Sequence, residues 1–549
     1  MRIHYSSKVA TTVAGAILDI LWQAGVKQAF GIPGVHNLAF WNALTDTRPE
    51  IRSVRHEQTT VYAADGLARS TGGLGVAITT TGPGAANTLG AFGEAAISNS
   101  AVLVLSSEAP IKFRQPGISR GLLHEMVDQS ELFKPLAKKD DKYQPLAISV
   151  TDGASAIAAA RFLVKELLSA PRGSGYLGIP ADVLSQEISI VDQKNDGSFS
   201  EAPIEITSEI KNLLETSRKI GIWAGGGTLD YSDDIAELSE HLAAPIFTSF
   251  AGRGVGSKSK NYLEFPVHEM EGTELLKDLD LLIVIGSELD GMNTKNWSIP
   301  WPKEVVVVDV LPEKPCLNSG AKYSIQSSRI DKVVAEFLKA RVKDKWIDIP
   351  AMNMKVRDRL SKSEKEARGI SFVNAIDGGW PQREPIFCDM AISGYWVGVY
   401  GKNTRVRRTA YPVGWGTLGY ALPASIGAAA VGMRPLVICG DGGIAFALSE
   451  LATVTQEKLP LTILLNDDGG YGMLRFDQQV MNHKEQGVDL FNPDWQKLAE
   501  SFKFEFSESS PRTLEEDLRS AYESGKPTLI LYREKLYPPR STSPRWREN

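Results

Sequence analysis

Cysteine is scarce in this chain: Cys316, Cys388 and Cys439 are the only three among 549 residues, and they stand far apart. That excludes a disulfide scaffold and a cysteine-built zinc site, and it fits small buried thiols in a reducing compartment. A surplus of one charge is missing too. The formal net charge of −6 gives no broad basic face, so neither nucleic acid nor an anionic membrane is an expected partner. No uncharged stretch reaches membrane-spanning length. Residues Met1 to Ala10 lack the apolar run of a secretion signal, which makes a cytoplasmic address the expectation. Solenoid-type repeats are also absent.

What remains is a globular composition, 43% apolar and 23% charged, over a length that exceeds one hydrophobic core. The pattern predicts an α/β protein of three doubly wound parallel-sheet domains, at 1–188, 189–345 and 346–549. Helical spacing in Val13 to Leu21 alternates with short apolar runs at Val76-Ala77-Ile78 and Val102 to Leu105. A polar linker is expected at Asp192 to Ser198, and a second α/β segment follows with runs at Ile220 to Trp223, Leu281 to Ile285 and Val305 to Val308. The charged stretch from Arg341 to Arg368 reads as a second, partly helical linker. Gly225-Gly226-Gly227 after a strand suits either a tight turn or the approach of a nucleotide phosphate. The proline-rich end, Tyr537 to Pro544, cannot form a regular helix.

The most informative pattern lies near the end. Gly440-Asp441-Gly442 closes the apolar run Leu436 to Cys439, and Asp467-Asp468 closes the run Leu461 to Leu465; 27 positions separate Asp441 from Asp468. Phe446, Leu448, Leu451, Ala452 and Val454 recur at helical spacing between them, so the crossover reads as a helix joining parallel strands. Both acids then sit at carboxyl ends of neighbouring strands, where open α/β sheets bind ligands and a helix N-terminus favours an anion. Oxygen ligands beside glycines suit Mg²⁺ or Ca²⁺ bridged to a phosphate.

Gly440-Asp441-Gly442-Gly443, continuing to Asn466-Asp467-Asp468-Gly469-Gly470-Tyr471-Gly472-Met473, resembles the diphosphate-binding motif of thiamine diphosphate enzymes. The N-terminal third is similar to the pyrimidine-binding domain of the acetolactate synthase and 2-oxo acid decarboxylase group. The residues that carry this are Gly31-Ile32-Pro33-Gly34, Arg55-His56-Glu57-Gln58, Ala63 to Arg69 and Thr81 to Asn87. The resemblance implies pyrimidine-binding, central and diphosphate-binding domains, the first and last sharing an architecture. It also implies thiamine diphosphate and Mg²⁺ as cofactors, with FAD or another nucleotide in the central domain left open.

By that resemblance Glu57 hydrogen-bonds the aminopyrimidine ring, a role in which a carboxyl must keep its proton and so calls for apolar surroundings. Pro33 and Gly34 border the ring. Asp441, Asp468 and the Gly470 carbonyl are the implied metal ligands. Gly440, Gly442, Gly443, Tyr471, Gly472 and Met473 line the diphosphate. The family usually has two asparagines where Asp467-Asp468 stand; either Asp468 ligates, or a shifted loop lets Asn466 serve. Gly416-Thr417-Leu418-Gly419 resembles the stretch that bends the cofactor, with Leu418 as wedge and the Gly416 carbonyl as acceptor.

His36, His124 and Glu125 are the candidate substrate-side groups, because a histidine can move protons near neutral pH. A histidine at position 36 resembles decarboxylases and carboligases, and His124-Glu125 replaces the Phe-Gln pair usual in acetolactate synthases. Tyr471, Met473, Leu474 and Phe476 either line an acyl pocket or simply pack. The implied activity is decarboxylation of a small 2-oxo acid, with release of an aldehyde or ligation to a second carbonyl. Acetolactate synthesis is the alternative, and a catalytically silent cofactor-binding regulator is the alternative of another class, opposed by the intact Glu57. A nicotinamide dehydrogenase lacks its G-x-G-x-x-G after a first strand. The family resemblance further implies a homodimer or homotetramer with the site shared between subunits.

Overall fold

The computed structural model describes residues 9–115, 117–190, 204, 206–540 and 542; the linker expected at 192–198 and residues 541 and 543–549 of the tail lie outside them. The chain divides into two compact units. One comprises residues 1–202, 414–432 and 447–459, the other 203–413, 433–446 and 460–549.

In the first unit a six-stranded parallel sheet has the spatial order Glu50–Ser53, Gln28–Gly31, Gly75–Thr79, Val102–Glu108, Ser174–Pro180, Ala147–Ser149. The inner strands Gly75–Thr79, Val102–Glu108 and Ser174–Pro180 are buried along their whole length because helices cover both faces, as parallel sheets require. Helix Val13–Gln23 starts where the Thr12 hydroxyl accepts the Gly15 N–H, 3.1 Å away, and it buries eight residues against the sheet. Helix Glu57–Thr71 is capped by His56 and ended by Gly72 at φ 77°, the left-handed position glycine tolerates. It packs so closely on helix Ala421–Ala429 that a Cβ at Gly66 would lie 1.9 Å from the Ala424 carbonyl oxygen.

The second unit holds two parallel sheets. The central one runs Ile246–Thr248, Ile220–Ala224, Leu281–Ile285, Glu304–Asp309, Tyr323–Gln326. The last runs Thr409–Ala410, Ile386–Cys388, Leu436–Gly440, Thr462–Asn466, Thr528–Tyr532, Glu505–Ser509. Its strand permutation repeats that of the first unit, second-first-third-fourth-sixth-fifth in chain order, so the shared architecture is present. Three parallel sheets in an α/β chain match the fold expected from the sequence.

Two local expectations change. The crossover between Leu436–Gly440 and Thr462–Asn466 is not one helix but three pieces, Asp441–Ile444, a 3₁₀ turn Ala445–Ala447 and Glu450–Gln456. Gly442 and Gly443 weaken a continuous helix, and Phe446 points outward while Leu451 and Val454 are buried. The charged stretch after Arg341 is more ordered than a linker, forming helices Ile349–Lys362 and Glu366–Gly379. All three cysteines are unpaired, and among the described residues no helix is long and apolar enough to cross a membrane.

Candidate active site

In each sheet the first strand lies between the second and the third, so the connections leave it in opposite directions and a crevice forms between the first and third strands at the carboxyl edge, where α/β proteins bind ligands. In the first unit this crevice lies between Gln28–Gly31 and Gly75–Thr79. The loop leaving Gly31 is held by buried Asn37: its Oδ1 accepts the Gly34 N–H at 2.7 Å and its Nδ2 donates to the Ile32 carbonyl at 3.0 Å. Pro33, Gly34, Val35 and His36 are thereby presented at the edge. A Cβ on Gly34 would fall 2.7 Å from Thr80 Oγ1, so this loop rests on the turn that follows Gly75–Thr79.

The same turn gathers two other candidates. Glu57 opens its helix half-buried, with Oε2 accepting the Asn87 amide at 3.0 Å, and a Cβ at Gly84 would lie 3.8 Å from its Oε1. On the other side, Gly82 at φ 66° lets the His124 carbonyl approach to 2.7 Å of where a Cβ would stand. His124 itself has φ 63°, a left-handed backbone held by its surroundings. Its ring meets that of His36 edge-on, with centroids 6.2 Å apart. Burial, and then the charge of His124, lowers the pKa of His36, so its ring is neutral at pH 7.

Glu125 is occupied within its own loop. Its Oε2 accepts from the Ser119 hydroxyl at 2.9 Å, the Arg120 N–H at 2.8 Å and the Leu122 N–H at 3.0 Å. Slight burial pushes its pKa up, but these donors outweigh it and hold the carboxyl below its ordinary range. Beneath the loop, buried Gln129 accepts the Gly82 N–H at 2.7 Å and donates to Ser106, Ser107 and Tyr176, fixing the turn to the sheet. Gly416 and Leu418 also belong to this unit. Gly416 has φ 69°, and Leu418 is half-buried just before helix Ala421–Ala429.

In the second unit the crevice of the last sheet opens between Ile386–Cys388 and Leu436–Gly440. Asp441 begins the short helix after Gly440 and is 1% exposed; its Oδ2 accepts the Asn492 amide at 2.6 Å, and its buried Oδ1 has no protein partner. Ser393, near the start of helix Ile392–Tyr400, buries a hydroxyl that is likewise without a partner. The glycines let neighbouring groups pack against the backbone here. A Cβ at Gly440 would meet Ala391 at 3.3 Å, at Gly442 the Tyr471 ring at 2.7 Å, at Gly443 Asp389 at 2.6 Å, and at Gly472 Asp468 Oδ2 at 1.8 Å. Gly470 has φ 150° and pairs with Asp489 in an isolated bridge. Met473 packs partly buried at the core margin beside this loop.

The adjacent acids divide their work. Asp467 accepts from Trp495 Nε1 at 2.9 Å, Asn492 Nδ2 at 2.8 Å and the Gly469 N–H at 3.2 Å, which makes it a brace for the loop. Asn466 turns its amide to the Tyr532 and Glu534 carbonyls, at 3.1 and 3.2 Å. Asp468 faces Asp441. Burial, then the Asp441 charge, pushes its pKa to about 6 despite Arg475, and burial also raises Asp441. Two half-paired carboxylates in one buried place repel each other, and a divalent cation would relieve that repulsion. No group of three or more His, Cys, Asp or Glu side chains suited to a metal occurs among the described residues. A cation here would therefore complete its shell with carbonyl, phosphate and water oxygens, the habit of Mg²⁺. The orphaned Asp441 and Ser393 oxygens and the Asp441 and Asp468 carboxylates fit a metal-bound diphosphate.

The central sheet differs. Its crevice, between Ile220–Ala224 and Leu281–Ile285, is closed by backbone: a Cβ at Gly225 would lie 2.0 Å from the Gly286 carbonyl oxygen. The Gly225 and Gly227 N–H groups donate to Ile285 and Gly286 carbonyls at 2.9 and 3.0 Å, so the triplet forms a tight turn rather than offering those donors to a phosphate.

Asn37, Gln129, Ser393 and Asn492 carry no motif and escape a reading of the sequence. Asn87 lies inside a quoted motif, where only its bond to Glu57 reveals its part.

Family models match three stretches of the chain: the thiamine pyrophosphate enzyme N-terminal TPP binding domain over 11–132, the central domain over 207–334 and the C-terminal TPP binding domain over 389–531. Among similar proteins, a probable 2-ketoarginine decarboxylase of Pseudomonas aeruginosa is 29% identical, over 95% of this chain and 94% of its own. A probable acetolactate synthase large subunit of Methanocaldococcus jannaschii is 28% identical, over 94% and 91%. An acetolactate synthase of Bacillus subtilis is 25% identical, over 95% and 93%.

Proposed function

The chain belongs to the thiamine pyrophosphate enzyme family, and from that premise we propose that it decarboxylates a 2-oxo acid, then releases an aldehyde or ligates the remaining acyl carbon to a second carbonyl compound. The observation that carries this reading is the His36–His124 pair at the edge where the Gly82–Gly84 turn also holds Glu57. Thiamine diphosphate, when bound, supplies the electron sink for breaking the carbon–carbon bond.

The chain's own residues do the rest. Glu57, held by Asn87, exchanges a proton with the aminopyrimidine ring. Asp441, Asp468 and the Gly470 carbonyl would hold Mg²⁺, and Ser393 and the glycines around Asp441 would border the diphosphate. His36, neutral at pH 7, and His124 deliver or accept the proton at the substrate carbon, and Glu125 orders the loop that carries His124. Leu418 and the Gly416 carbonyl shape the bound cofactor. Acetolactate synthesis is the second reading, favoured by the likeness to two acetolactate synthases.

Around the first crevice Val35 and Leu123 stand 86% and 74% exposed, and Phe491 in the second unit 98%. Apolar surface of this kind beside a half-exposed Glu57 fits a cytoplasmic homodimer or homotetramer in which two copies complete each site. The domain limits near 188 and 345 belong to the same proposal, and visible absorbance of purified protein tests whether the central domain carries FAD.

Product NMR tests the reaction. The protein, stripped of metal, is incubated with pyruvate and with longer and aromatic 2-oxo acids, with and without thiamine diphosphate and Mg²⁺. Cofactor-dependent aldehyde or acyloin is expected; acetolactate from pyruvate would select the second reading, and no product from any acid would overturn both.

A further inference from the structure

The segment that brings Glu57 to the first crevice is held by helix Glu450–Gln456, which belongs to the same compact unit. Glu450, fully buried, accepts the Arg55 N–H on both carboxyl oxygens, at 3.1 and 3.3 Å. Gln456 Oε1 accepts from the Arg55 guanidinium at 2.6 Å, and Glu457, just past the helix end, pairs with Arg52 at 2.8 Å. The buried Thr453 hydroxyl donates to Glu450 Oε2 at 2.6 Å and so aims the carboxyl.

Of these three grips on the connection, only that of Glu450 takes the backbone, just ahead of His56 and Glu57. His56 is extended, with φ −144° and ψ 143°, and caps the helix that Glu57 begins, so the peptide at Arg55 sets the direction in which that helix enters. Asn87 holds the Glu57 carboxyl from the other end. Glu57 is thus fixed through both main chain and side chain. Glu450 forms no ion pair among the described residues. A carboxyl taken out of water with two donors and no cation costs more to place than an apolar side chain, so its use lies in geometry rather than stability. An acid in the first turn also suits the helix dipole, but an exposed acid would serve that equally.

We propose that Glu450 is a positioning residue for Glu57: its carboxyl, aimed by Thr453, holds the Arg55 N–H and so sets where the Glu57 carboxyl meets the aminopyrimidine ring. The inference rests on the thiamine diphosphate reading of the site. It concerns only the pyrimidine end of the cofactor and residues of one unit of one chain, so it is compatible with a diphosphate end held by a second copy. Glu450→Leu removes the acceptor while filling its space. Glu450→Gln keeps an acceptor for the Arg55 N–H, and Thr453→Val removes the aiming hydroxyl but leaves the acid. Asp19→Asn, which weakens an ion pair with Arg48 at 2.7 Å elsewhere in the unit, is the control.

The readout is exchange of the C2 proton of bound thiamine diphosphate for deuterium, measured by NMR after acid quench at saturating cofactor and Mg²⁺. Exchange about tenfold or more slower is expected for Glu450→Leu and about threefold slower for Thr453→Val, with Glu450→Gln within about twofold of wild type and Asp19→Asn at the wild-type rate. Wild-type exchange in Glu450→Leu overturns the positioning role. So does Glu450→Gln as slow as Glu450→Leu, which would make the charge rather than the acceptor the working feature, and so does an equal slowing in Asp19→Asn. Should Glu450→Leu fail to fold, Thr453→Val decides alone, and wild-type exchange in it overturns the role. Wild-type protein that neither binds the cofactor nor accelerates its exchange would instead sink the thiamine diphosphate reading itself.

Discussion

The central and last sheets of the second unit reverse direction at the same topological place, yet at one the backbone groups pair with each other and at the other buried oxygens are left without a partner. At the central sheet Gly225 and Gly286 bring two backbones into contact, and their N–H groups and carbonyls satisfy each other. At the last sheet the glycines flank a side chain with an oxygen left over, Asp441 Oδ1, and a serine hydroxyl in the same condition. Glycine after a strand therefore does not by itself mark a ligand site. What distinguishes the two is whether the polar groups it exposes already have partners, because a buried unsatisfied oxygen is costly unless something arrives to meet it.

The comparison can be broken most forcefully at Asp441. Replacing it by Ala removes the carboxylate and should cut cofactor-dependent turnover roughly a thousandfold, while thermal unfolding, followed by circular dichroism, stays near that of the parent. A site that did not need this acid would keep its turnover. Glu57→Gln should lower turnover about a hundredfold or more with calorimetric affinity for thiamine diphosphate little changed, since it removes proton exchange rather than the anchor.

Gly225→Ala sharpens the contrast from the closed side. Its methyl would meet the Gly286 oxygen at 2.0 Å, so about 2–3 kcal/mol of stability should be lost in denaturant titration. Turnover per folded molecule should stay unchanged. Loss of turnover without loss of stability would show that the central crevice serves the chemistry.

The smallest effect concerns pH. The folded-state pKa of His36 lies below its ordinary value, so the unfolded chain binds more protons between the two values. The contribution of His36 to stability is therefore full above pH 6.5 and falls as pH drops through the folded value. His36→Asn should flatten that part of the curve by less than about 1 kcal/mol, measured by denaturant midpoints. A steeper decline in the variant would contradict the assignment.

How much of this could be read from sequence depends on the range of each interaction. Apolar runs such as Leu281 to Ile285 and Leu436 to Cys439 announce strands because they are local and buried on both faces. That the first and last sheets share an architecture is implied by the family resemblance alone, because strand order is set by contacts far apart in the chain. The glycine triplet left two readings open, and only the approach of Gly286, far along the chain, separates them. Asn492 reaches Asp441 across 51 positions and Glu94 reaches Trp415 across 321, with no pattern near either to signal it. The broken crossover after Asp441 eluded periodicity because Phe446 has helical spacing yet lies outward.

In the function proposed above, Asp441 and Asp468 would hold thiamine diphosphate through a divalent cation. Isothermal titration of the cofactor into the purified protein, with and without Mg²⁺, tests it most directly. Saturable binding with one cofactor per chain is expected, requiring Mg²⁺ and lost in Asp441→Ala. Binding of equal strength without the cation, or undiminished in Asp441→Ala, would contradict it.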